Sequence, residues 1–176
     1  MAALVMEHDP RCESLADEQV LADVAKYGWL VFKVLEKHES PGWAFSVGLY
    51  ENFNHPEVVV FGLNDDLLGS VINSIGEDVR NGKTFAIDGL YPNLIDTYSC
   101  TFKSVNQVWY YDFLGYANWF YKGQDYPALQ CIWPDRNSQF PWEPEFNPNW
   151  IWAQPLLFQK EPESARAVEL LQSMAE

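Results

Sequence analysis

The sequence predicts an α+β fold, a single domain with a mixed or mostly antiparallel sheet and flanking helices. Three observations predict it. Short β-branched and aromatic runs recur between helix-like segments without strict strand-helix alternation, which disfavours a doubly wound parallel sheet. No internal repeat, low-complexity tract or linker-like change of composition divides the chain. Its 176 residues, 48% hydrophobic and 16% aromatic, suffice for one substantial core.

The elements follow in order. Ser14 supplies an N-cap with Asp17 and Glu18 in the first turn, and Leu21, Val24 and Ala25 continue a short helix up to Gly28. Trp29 to Leu35, Trp43 to Leu49 and Val58 to Leu63 read as strands, the last two joined by a turn rich in Asn and Pro over residues 50–57. Asn64 or Asp65 caps a second helix whose stripe is Leu68, Val71, Ile72, Ile75 and Val79, with Gly82 placed for a left-handed stop. Further strands are expected at Thr84 to Ile87, Tyr98 to Val105 and Ala128 to Trp133, with an aromatic helix over Asp112 to Lys122. Pro162 and the spacing of Ala165, Val168 and Leu171 predict a carboxy-terminal amphipathic helix over 161–176.

Residues 133–152 stand apart, holding four of the eight tryptophans with prolines at 134, 141, 144 and 148. Proline removes backbone donors and keeps its predecessor extended, so this stretch is expected to wrap along a surface and to be anchored by its aromatic side chains.

Charge narrows the partners. A net charge of −14 with only 11 Lys and Arg argues against nucleic acid and against an anionic membrane, while it would steer a basic protein. Cys12, Cys100 and Cys131 are isolated, and the amino terminus carries Glu7 and Asp9 before any apolar run; a cytoplasmic protein is expected. The three histidines at 8, 38 and 55 lack metal-ligand spacing and no glycine-rich phosphate loop occurs, so neither metal nor cofactor is expected.

Two constellations could carry chemistry. His55, Pro56 and Glu57 open an apolar strand, so His55 could move a proton with Glu57 setting its tautomer; otherwise the ring simply satisfies backbone groups in a turn. Ser46 lacks the nucleophile-elbow context. In the second, Arg136 is the only cation between Lys122 and Lys160, with Asp135, Glu143 and Glu145 around it. These acids could hold its guanidinium and fix the loop, or leave the fork exposed to a ligand carboxylate or phosphate. Asp135 and Glu143 would suit glycosidase-like work only at the right separation.

The phrases Pro41 to Leu49, His55 to Leu63 and Trp133-Pro-Asp-Arg-Asn-Ser-Gln-Phe-Pro-Trp-Glu143 resemble the bacterial domain-of-unknown-function family 4262 over residues 28–159. That resemblance implies no reaction. A Gly-Leu strand end followed by Pro-Glu and an apolar strand is also distantly similar to suppressor-of-fused domains, which implies a protein-binding role of the kind found among toxin-neutralising proteins.

Two functions are therefore expected to compete. One is an acidic binding module, such as an immunity or antitoxin protein occluding a basic toxin domain, with Trp133, Asp135, Arg136, Phe140, Trp142 and Glu143 in its contact segment. The other is a small hydrolase or transferase with a pocket near His55 and Arg136, in which His55 or Glu57 acts as base and Arg136 stabilises negative charge. An oligomeric scaffold using the last helix is a third.

Overall fold

Strand pairing in the computed structural model, which describes residues 11, 13–38 and 40–160, yields one six-stranded sheet in the order β1-β2-β3-β6-β5-β4. The strands are β1 (Leu30–Val34), β2 (Trp43–Val47), β3 (Glu57–Phe61), β4 (Leu90–Ile95), β5 (Tyr98–Ser104) and β6 (Ala128–Ile132). All neighbours are antiparallel except β3 and β6, the parallel central pair. The helices are α1 (Leu15–Tyr27), α2 (Leu49–Phe53), α3 (Asp65–Arg80), α4 (Tyr110–Phe113) and α5 (Gly115–Tyr121). This is the expected α+β arrangement.

The central strands are buried on both faces because each face has its own apolar partner. On one side Ala44, Val58, Val60, Cys131 and Phe102 pack with Leu68, Ile72 and Ile75 of α3. On the other, Phe45, Val47, Val59 and Phe61 meet Phe113, Ala117, Phe120 and Leu157. Side chains alternate across a strand, so one apolar run feeds both layers. No helix among the described residues is long and apolar enough to cross a membrane.

Local signals explain where several elements begin and end. The Ser14 hydroxyl caps α1 by accepting from Asp17 N at 3.2 Å, and Gly28 ends it at φ 94°. Asn64 caps α3 by accepting from Leu67 N at 2.9 Å. The carboxy-terminal helix expected over 161–176 lies outside the described residues.

Three local expectations are corrected. Thr84 to Ile87 forms no strand, because side chains take its backbone donors: Phe85 N bonds His55 Nε2 at 3.2 Å and Ala86 N bonds the Tyr91 hydroxyl at 2.6 Å. The turn over 50–57 contains α2, which starts after Gly48 (φ 118°) and stops at Asn54 (φ 53°). The helix expected over Asp112 to Lys122 is broken at Leu114 into α4 and α5, since Tyr110 O is shared by Leu114 N at 3.0 Å and Asn118 Nδ2 at 2.8 Å.

Candidate functional site

Residues 133–152 form no strand; they consist of turns, bends and the start of a 3-10 helix at Pro148–Ala153. Trp133 fastens the segment from inside: it is buried, its Nε1 donates to Phe61 O at 2.7 Å, and its backbone exchanges bonds with the buried amide of Gln154 at 3.0 and 2.8 Å. Gln130 repeats the device on β6, donating to Pro155 O at 2.7 Å and accepting from Leu157 N at 2.9 Å. Extended backbone next to proline needs such partners, because it cannot form a ladder of its own. Gly62 permits the crossing, at φ 76° with Ala153 O only 2.4 Å from where a Cβ would stand.

Asp135 organises the turn that follows. Its Oδ1 accepts from Asn137 N at 2.8 Å and Gln139 N at 3.0 Å, and its Oδ2 from Asn147 N at 2.9 Å. Burial alone would raise its pKa, yet the three backbone donors favour the charged form and hold it below the usual value. The acid that fixes this loop does so through backbone amides. Among the described residues Arg136 has no ion pair with Asp135, Glu143 or Glu145, and it is exposed.

Beyond this turn Trp142 is exposed, Phe140 beside it is half-buried and Phe146 is buried. Phe140 and Trp142 stack with centroids 5.2 Å apart and planes 8° apart, and Trp142 meets Phe158 edge-on at 6.1 Å. Lys103 Nζ lies 4.9 Å from the Trp142 ring. Glu143 locks the pair, since its Oε2 accepts from Phe140 N at 2.6 Å while its own N donates to Phe140 O at 2.9 Å. Trp142, Trp150 and Ile151 each remain 41% exposed.

The other constellation is internal. His55 is buried with both ring nitrogens engaged, Nδ1 with Pro56 O at 2.8 Å and Nε2 with Phe85 N. The first partner is only an acceptor and the second only a donor, so the ring is neutral with its proton on Nδ1. Burial lowers its pKa, partly opposed by the Pro56 bond. Glu57 has no exposed surface: Oε2 accepts from the Ser46 hydroxyl at 2.5 Å, and Oε1 from Gly48 N at 2.8 Å, Tyr50 N at 3.2 Å and the Tyr121 hydroxyl. Burial raises its pKa despite these four donors.

His55 and Glu57 therefore lie at the amino end of β3, whereas Arg136 follows the carboxyl end of the parallel strand β6. The length of β3 separates the two positions, roughly 16 Å for five residues. Arg136 instead lines a groove of about 460 Å³ with Leu63, Tyr98, Trp133 and Trp150, in which His55 has no part.

A family model described as Domain of unknown function (DUF4262) matches residues 23–147. The chain belongs to the DUF4262 family. The DUF4262 match covers the sheet, α3, the Glu57 cluster, the Asp135 turn and the Phe140–Trp142 stack, and stops short of Trp150. No curated protein and no solved structure matches this DUF4262 chain.

The sequence singled out His55, Glu57, Asp135, Arg136 and Glu143, but not Lys103 beside the Trp142 ring. It did not reveal the Ser46 and Tyr121 contacts to Glu57, the amide struts of Gln130 and Gln154, or the cross-strand thiols of Cys100 and Cys131. The thiols raise the Cys131 pKa, first through their mutual hydrogen bond and then through burial. Only the short connection between the two apolar strands hinted at a Ser46–Glu57 meeting, because antiparallel β2 and β3 pass side by side.

Proposed function

We propose that this chain is an acidic protein-binding module whose Phe140–Trp142 platform grips a basic protein partner. The carrying observation is that Trp142, 41% exposed, stacks on Phe140, whose backbone is fixed by Glu143. A preformed aromatic surface loses little conformational freedom on binding, and tryptophan is enriched among residues that dominate interface energies. Trp133, Asp135 and Glu143 serve this reading by holding the segment's shape, and Arg136 lies beside it.

The partner's class follows from charge. With a net charge of −14, the chain attracts a basic protein over long range, and the platform then slows its departure. An immunity or antitoxin protein occluding a basic toxin domain is a role of this kind, and a cytoplasmic setting suits the free thiols of Cys100 and Cys131. Capture on the immobilised full chain at low salt, followed by mass spectrometry, tests the reading. It predicts a stoichiometric basic protein that is lost with Trp142→Ala and weakened by salt. No such protein, or equal capture by the variant, contradicts it.

A further inference from the structure

We propose that the groove at the carboxyl ends of β3 and β6 binds a small planar aromatic carboxylate or phosphate, with Arg136 pairing to its anionic group. The site is separate from the Phe140–Trp142 platform and does not depend on the protein-binding reading.

Topology makes the groove. After β3 the chain turns through Gly62, Leu63 and Asn64 into α3, which covers one face of the sheet. After parallel β6 it turns through Trp133 to Arg136 and reaches the opposite layer at Leu157. The Gly62–Asn64 turn, the Trp133–Arg136 turn and the β4–β5 hairpin at Ile95 and Tyr98 meet at this end of the sheet and leave a groove between them. Here it measures about 460 Å³, within the range of small-molecule pockets.

Its walls specify a flat ligand. Trp133 and Trp150 meet at 74° with centroids 6.4 Å apart, and Tyr98, Leu63 and Leu67 add further apolar surface. Its polar groups specify the charge. The Asp135 carboxylate is occupied by three backbone amides, and the Asn64 oxygen by Leu67 N. Arg136 is exposed, lines the groove and has no ion pair among the described residues. A guanidinium fork in that state matches a carboxylate or phosphate by two parallel hydrogen bonds. A chain of net charge −14 opposes polyanions, so one anionic group on one or two fused rings fits both size and field.

The indole N–H resonances of Trp133 and Trp150 in the full-length ¹⁵N-labelled protein read the site directly. Benzoate, phenyl phosphate, 1-naphthoate and 1-naphthyl phosphate are the probes, with benzamide and benzamidine as neutral and cationic controls. The proposal predicts saturable shifts of both indoles with at least one anionic probe, and weaker binding of the controls. Arg136→Ala, at an exposed position, should weaken that probe by about tenfold or more, the scale of one charge-assisted pair. Arg136→Lys should recover part of the loss, and Trp142→Ala should change nothing. The proposal is overturned if no anionic probe shifts either indole saturably, if Arg136→Ala binds as the wild type does, or if benzamidine binds as tightly as the anions.

Discussion

The Tyr121 hydroxyl, carried by α5, donates to Glu57 Oε1 at the first residue of β3. This bond ties the aromatic helices to the centre of the sheet, and the Ser46, Gly48 and Tyr50 donors complete a closed shell around one carboxyl. Donors left in such a shell without an acceptor cost about 1–3 kcal/mol each. Glu57→Ala should therefore destabilise the protein by about 3 kcal/mol or more. Glu57→Gln keeps an acceptor for the donors on Oε1 and can donate to the Ser46 oxygen, so its loss should stay within about 1 kcal/mol. Urea unfolding of both variants checks the contrast; equal losses would contradict it.

The same carboxyl should leave a signature in the pH dependence of stability. Its folded pKa is raised from 4.5, chiefly by burial. As pH rises past that ordinary value the unfolded chain releases its proton first, while the folded chain retains it. Stability attributable to Glu57 therefore falls with rising pH until the folded pKa is passed, and is level thereafter. Subtracting the Glu57→Gln curve from the wild-type curve should isolate this fall. Parallel curves would show that the pKa is not raised.

His55 should behave as a fixed structural ring. Its pKa is lowered from 6.5 by burial, so the unfolded chain takes up a proton before the folded one as pH drops. Its contribution is full above about 6.5 and declines below it until the folded pKa is reached. Imidazole ¹⁵N spectra at pH 7 should show a predominantly neutral ring protonated at Nδ1. An imidazolium signal at that pH would contradict the geometry of Pro56 and Phe85.

Asp135 has the opposite sign to Glu57. Its folded pKa is lowered by the Asn147, Gln139 and Asn137 amides outweighing burial, so its contribution is present above the ordinary aspartate value and lost as pH falls through the folded one. Asp135→Ala should speed hydrogen exchange at those three amides, by about tenfold or more per lost charged hydrogen bond, while α3 amides stay protected. Unchanged exchange at Asn137, Gln139 and Asn147 would remove the carboxylate from its organising role.

Much of the frame was legible because its signals are local. The Asn64 cap, the stripe from Leu68 to Val79 and Gly82 marked α3, which runs Asp65–Arg80. β-branched and aromatic runs marked five of the strands, both the fully buried β2, β3 and β6 and the partly exposed β1 and β5. β4 was not legible: Pro92 and a left-handed Asn93 interrupt its pattern, and the pairing shifts between Tyr91 and Ile95, which an edge strand tolerates. In the site, prolines announced a segment without strands, but neither its turns nor which rings face outward. That is decided by Gln154 and Phe61 drawing Trp133 in, contacts 21 and 72 residues distant. Nearby acids suggested partners for Arg136, whereas Asp135 is occupied by backbone amides that no charge pattern encodes.

The dissociation rate of the captured protein complex tests the Phe140–Trp142 platform most directly. Surface plasmon resonance of wild type and Trp142→Ala against the same partner should show about tenfold or faster release for the variant, with association little changed and slowed by salt in both. Identical dissociation rates would contradict the platform's role in recognition.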